Sequence, residues 1–131
     1  MKNPNVYLSD LAETLNNLGV VLRANNELSL AQNKYEEALR IRRDLVKKNP
    51  DVYLPDLAET LGNLGIFWSD NSELTLANDY YVEALEIRRG LAEKNPNRYL
   101  PDVATTLNNQ GVFWNNNNKL ILDKDLYEEA L

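Results

Sequence analysis

The chain has 131 residues, 44% hydrophobic and 26% charged, with a net charge of −6; that is material for one folded array, without the basic surface that phosphate binding demands, so no nucleic acid partner is expected. Cysteine and histidine are both absent, which removes disulfides, thiol chemistry, the common zinc sites and imidazole catalysis together. No stretch approaches the ~20 apolar residues of a membrane helix, and Met1-Lys2-Asn3-Pro4 leads into no apolar run, so no membrane segment or secretory signal is expected and a cytoplasmic protein is.

The opening segment, Asn3-Pro4-Asn5-Val6-Tyr7-Leu8, returns as Asn49-Pro50-Asp51-Val52-Tyr53-Leu54 and as Asn95-Pro96-Asn97-Arg98-Tyr99-Leu100. About 28 of 46 positions are identical between the first two copies. A fixed period of this length signals stacked units in which each neighbour completes the other's apolar face. A single array over 1–131 is expected, with units at about 3–48, 49–94 and 95–131.

Two amphipathic stripes follow one another within each unit. Leu11, Leu15, Leu18 and Leu22 recur at steps of four, three and four. Leu57, Leu61, Leu64 and Trp68 repeat those steps, and so do Val103, Leu107, Gln110 and Trp114. Such spacing marks one face of an α-helix. The second stripe is Leu28, Ala31, Tyr35, Ala38 and Leu39, then Leu74, Ala77, Tyr81, Ala84 and Leu85, again helical. Strict alternation is absent, so strands are not expected.

Between the stripes lie Asn25-Asn26, Asn71-Ser72 and Asn115 to Asn118. Asparagine tolerates the left-handed backbone of a tight turn, and a short turn sets the helices antiparallel. Asn49-Pro50 and Asn95-Pro96 are expected to stop the second helix near Lys48 and Lys94, where lysine suits the helix dipole. Pro55-Asp56 and Pro101-Asp102 fit the first turn of the next helix, with Ser9 standing for the proline in the first copy. Gly19, Gly65 and Gly111 fall mid-helix, where glycine costs up to about 1 kcal/mol. The expected return is close helix approach, with Ala31, Ala38, Ala77 and Ala84 facing them. Trp68 and Trp114 hold core positions, and Tyr7, Tyr53 and Tyr99 are expected to pack on the preceding pair.

These residues resemble the tetratricopeptide repeat. Its outline, large-x-x-Leu-Gly-x-x-Tyr followed by Ala-x-x-x-Tyr/Phe-x-x-Ala, is met by Leu15, Leu18, Gly19, Leu22, Ala31, Tyr35 and Ala38. The second copy meets it with Leu61, Leu64, Gly65, Trp68, Ala77, Tyr81 and Ala84. The resemblance implies an all-α solenoid of three antiparallel helix pairs, the last truncated. The usual unit of 34 residues is exceeded by 12, and Arg43 and Arg89 stand where the family places a proline, so a longer second helix is expected. Long units of this kind are similar to repeats of kinesin light chains and bacterial signalling proteins.

The third copy departs from the pattern. Gln110 takes a leucine position and Asp123 a small alanine position, and an acid there is costly unless it stays wet or paired. The last helix ends before the Ile-Arg-Arg of the earlier copies, so either a fragment or an open end that meets another chain is expected.

In the resembled family the first helix of each pair lines a concave face. The matching positions are Glu13, Asn16, Val20 and Arg23; Glu59, Gly62, Ile66 and Ser69; and Thr105, Asn108, Val112 and Asn115, flanked by Asn17, Asn63 and Asn109. Amides that both donate and accept suit an extended peptide backbone. Chaperone-binding members clamp a terminal carboxylate there with cations. Asn16, Val20, Asn63, Thr105 and Asn109 supply none, so no acidic chaperone tail is expected to bind.

Arg40, Arg42, Arg43, Lys47, Arg88 and Arg89 are expected to pair with Glu36, Glu37, Asp44 and neighbouring units, in preference to docking an acidic partner. The acids Asp70, Glu73, Glu36, Glu37, Glu128 and Glu129 sit at ordinary helical spacing, which implies neither catalysis nor a metal site. The expectation is a protein–protein interaction scaffold or sensor that takes a protein or peptide and needs no cofactor. The rivals are a homo-oligomer formed through its open repeat ends and an accessory segment of a larger signalling enzyme.

Overall fold

A computed structural model describes the backbone of residues 3–130 and the side chains of residues 3–117. Helix α1 spans Pro4–Ala24, α2 Leu28–Lys48, α3 Pro50–Asp70, α4 Leu74–Lys94 and α5 Pro96–Ala130. Among the described residues there is no strand. Each helix packs on its successor, and α1, α3 and α5 also touch in sequence. The result is an all-α solenoid.

The reversals form where the sequence places them. Asn26 and Ser72 adopt φ of 61° and 62°. Glu27 N–H donates to Leu22 O at 2.8 Å, and Glu73 N–H to Trp68 O at 2.9 Å, so each left-handed residue closes the orphan carbonyls of a helix end. At the other joint the chain passes through one residue, Asn49 or Asn95. Lys47, Lys48 and Lys94 occupy the last turns as expected.

The first helix of each unit begins five residues earlier than Pro55 and Pro101 suggest. Pro50 and Pro96 take the first helical positions, and Pro55 and Pro101 lie inside the helices. The missing amide of Pro55 leaves the carbonyl of Asp51 without its helical donor. Asp51 is exposed, so water can satisfy that carbonyl. The added turn carries Tyr53 onto the α1–α2 core and Leu54 onto the α3–α4 core. Tyr99 likewise packs beside Leu85, Ala92 and Val103, whereas Tyr7 is 55% exposed, against the expected packing.

The cores follow the stripes in α2, α3 and α4, whereas in α1 Leu15 and Leu22 join the cores but Leu11 and Leu18 are exposed. Ala12 and Leu15 of α1 meet Ala38, Ile41 and Leu45 of α2. Leu57 and Leu61 of α3 meet Ala84 of α4. Between units, Ala31 and Tyr35 pack against Leu64 and Phe67, and Ala77 and Tyr81 against Phe113. The facing partner of the glycines is therefore tyrosine rather than alanine. A Cβ at Gly19 would lie 2.7 Å from the Tyr35 ring, and one at Gly65 2.7 Å from the Tyr81 ring.

The third unit differs from the expected pair. Asn115 to Asn118 form no turn, and α5 runs as one helix of 35 residues. Neither Gly nor Pro interrupts 112–130, so local propensity lets the helix continue. A left-handed turn residue costs roughly 1–2 kcal/mol, which the first two units offset by seating a tyrosine in the glycine notch. Among the described residues nothing lies within 4 Å of a Cβ at Gly111. Trp114 is accordingly 40% exposed, not a core residue. The side chain of Asp123 lies outside the described residues.

Candidate functional site

The positions expected to form a binding face lie on α1, α3 and α5, and part of them is engaged between units. Asn16 is 1% exposed. Its Nδ2 donates to Glu59 Oε1 at 2.9 Å, while its Oδ1 accepts from Asn63 Nδ2 at 3.1 Å and from Thr60 Oγ1 at 3.2 Å. Arg23 donates to Asp70 Oδ2 at 2.9 Å. These contacts tie α1 to α3 at two levels. The Asn16 amide can serve both the Glu59 acceptor and the Thr60 and Asn63 donors because it donates and accepts at once, while the Arg23 guanidinium only donates.

The aliphatic line is also partly absorbed. Val20 packs against the Tyr35–Phe67 core and Ile66 against the Tyr81–Phe113 core, whereas Val112 is 52% exposed. Glu13, Asn17, Thr105, Asn108 and Asn115 are exposed, and Ser69 and Asn109 are half-buried. Thr105 Oγ1 donates to Pro101 O within its own helix. The open part of the face is thus two patches, Glu13–Asn17 on α1 and Thr105–Asn115 on α5, on either side of the α1–α3 ladder.

Sequence reasoning missed the arginine latch beneath this ladder. Arg42 is 3% exposed. Its Nη1 donates to Thr60 Oγ1 at 2.8 Å and to Asp56 O at 3.0 Å, with Glu59 at 3.5 Å. Arg88 repeats the bond to Thr106 at 2.7 Å. The readable signal was the 18-residue offset from each arginine to a threonine, kept in both copies. Arg43 pairs bidentately with Glu83 at 2.7 and 2.9 Å, and the hydrogen bonds to Glu83 raise its already high pKa. Lys47 lies 3.9 Å from Asp44. Most of the basic series is thereby consumed inside the array.

Ionisation is displaced mainly at tyrosines. Burial pushes Tyr35 and Tyr80 upward, and Tyr81 up to about 12. The Asp70 carboxylate adds to the rise at Tyr35 and Tyr81, and Arg23 opposes it. All these shifts lead away from neutrality.

A family model for the tetratricopeptide repeat matches residues 11–51 and 57–96, more than half of the chain. The chain belongs to the tetratricopeptide repeat family. Among curated proteins no relative matches it. Both matched stretches begin within a first helix and end just past the close of the second, so each match covers most of one helix pair, α1–α2 or α3–α4. Tetratricopeptide repeats generally mediate protein–protein interaction. Among the described residues no helix is long and apolar enough to cross a membrane.

Proposed function

We propose that this chain is a cytoplasmic interaction scaffold or sensor that holds an extended peptide of a partner protein along α1, α3 and α5 and performs no catalysis of its own. The observation that carries this reading is the Asn16–Glu59–Asn63 ladder with its Arg23–Asp70 companion. It fixes the spacing of α1 and α3 before any partner arrives, and preset geometry lowers the ordering cost of binding. Asn17 on α1 and Asn108 and Asn109 on α5 then offer amides to a peptide backbone.

Peptide-display selection against the folded chain tests this. Winning peptides should lose at least about tenfold in affinity, or about 1.4 kcal/mol, on Asn17→Arg or Asn109→Arg. Winners that bind both variants as they bind the parent would overturn the reading.

A second reading is favoured by one observation. Among the described residues nothing covers the face of α5 around Gly111, with Leu107 42% and Trp114 40% exposed, whereas α2 and α4 cover the matching faces of α1 and α3. A second copy filling that face would give a homo-oligomer. Light scattering decides: a monomer at every concentration removes this reading.

A further inference from the structure

The first two units differ in chemistry where the second helix ends. The exposed edge of α2 carries Arg40, Asp44 and Lys47; the same positions of α4 are Glu86, Gly90 and Glu93. Charge is reversed at two places, and a side chain is removed at the third. Gly90 serves no helix approach, because a Cβ there would meet nothing within 4 Å. It opens onto a groove of about 560 Å³ between the end of α4 and the starts of α3 and α5.

Leu54, Ile87, Leu91 and the Tyr99 ring line that groove with apolar surface, and Asp51, Glu86 and Glu93 bring carboxylates to it. Lys94 is the cation among the lining residues, 3.9 Å from Asp51. The Arg98 guanidinium lies 5.2 Å from the centre of the Tyr99 ring. Among the described residues no cation lies within ion-pair distance of Glu86 or Glu93. Glu93 also borders a second groove, formed with Arg89, Ala92, Pro96, Leu100 and Val103, where Leu100 is 54% exposed.

We propose that this groove docks a lysine or arginine side chain from a basic, apolar peptide segment of a partner protein. The aliphatic stem of such a residue covers Leu54, Ile87 and Tyr99 while its charge reaches Glu86 and Glu93. A neighbouring apolar residue of the same segment fits the Leu100–Val103 groove. The matching edge of the first unit, with Arg40 and Lys47 in place of the acids, refuses the same ligand.

The site lies apart from the α1–α3–α5 face, so the two can be tested separately. The probe is the acetylated peptide Ala-Leu-Arg-Leu-Lys-Ala, with Ala-Leu-Glu-Leu-Glu-Ala as control, titrated into nitrogen-15-labelled protein and followed by amide shifts. The basic peptide should move the amides of Ile87, Gly90 and Tyr99, and its affinity should fall as salt rises. Gly90→Gln, which fills the groove without adding charge, should weaken it at least about tenfold, and Glu86→Arg with Glu93→Lys should abolish it, while Asn17→Arg leaves it unchanged. Gly90→Gln fills open space and does not lower helix propensity, so an unaltered melting curve will show that it folds. Shifts centred elsewhere, parental affinity in Gly90→Gln, or equal binding of the acidic peptide would each overturn the proposal.

Discussion

Replacing Gly65 by alanine, beside the same change at Gly111, isolates the energy of the tyrosine seat. Both glycines lie mid-helix, so both changes gain up to about 1 kcal/mol of helix propensity. At Gly65 the new methyl would lie 2.7 Å from Cδ1 and Cε1 of Tyr81, a ring that is 3% exposed and backed by Phe113 at a centroid distance of 5.7 Å. A ring so enclosed cannot swing aside without displacing its neighbours, and overpacking of that kind costs roughly 1–3 kcal/mol. At Gly111 the methyl meets nothing among the described residues. The propensity term cancels in the comparison, so Gly111→Ala should exceed Gly65→Ala in stability by roughly 1–3 kcal/mol. For a chain of this size that corresponds to roughly 4 °C of midpoint per kcal/mol. Urea and thermal unfolding followed by circular dichroism measure it. Equal midpoints for the two variants would show that the tyrosine does not sit in the notch, and the helix-pair geometry described above would fall with it.

Other expectations concern the latch, the turns, the tyrosines and the ladder. Arg42→Ala strips Thr60 and the Asp56 carbonyl of their donor and should cost about 2–3 kcal/mol in urea unfolding, with Arg42→Lys only a partial rescue. Ser72 holds φ at 62°, so Ser72→Gly should stabilise by up to about 1 kcal/mol, and Ser72→Val should destabilise. The folded-state pKa of Tyr81 stands above its ordinary 10.0, at about 12. Its contribution to stability is therefore complete below pH 10 and is lost as pH rises through 12. Tyr81→Phe should flatten the alkaline unfolding curve across that window. Asn63→Ala removes one donor from Asn16 and should cost about 1 kcal/mol.

How much of this fold could be read from the residues depends on which interactions are local. The stripes place α1 to α4 because leucine and alanine spacing reports which side of a helix is dry. Asn26 and Ser72 mark reversals because a left-handed residue is rare outside turns. Pro55 misled, since proline at a helix start and proline inside an extended first helix look alike when the unsatisfied carbonyl faces water. Asn115 to Asn118 misled for another reason: a turn there depends on a second helix returning to Gly111, a tertiary condition that composition does not carry. At the site, the amides of α1 and α3 were legible as a row. That Asn16 would be sealed between Glu59, Thr60 and Asn63 was not legible, because burial across 43 to 47 residues of sequence separation is set by how two helices cross. Arg42, standing among Arg40, Arg43 and Lys47, carried no local mark of depth.

The single-residue joints at Asn49 and Asn95 have a consequence for how such a chain can change. One residue added or lost there must either lengthen the joint or shift the register of a flanking helix, and a one-residue register shift turns that helix's face by about 100°. Arg42 would then face a new side of α3, and the dry stripe of that helix would roll into water. The joint contains no slack to absorb the error. Length variation in this lineage should therefore arrive as whole 46-residue blocks or be confined to the Asn25–Glu27 and Asn71–Glu73 reversals, so the mechanical pitch of the array is locked by its shortest parts.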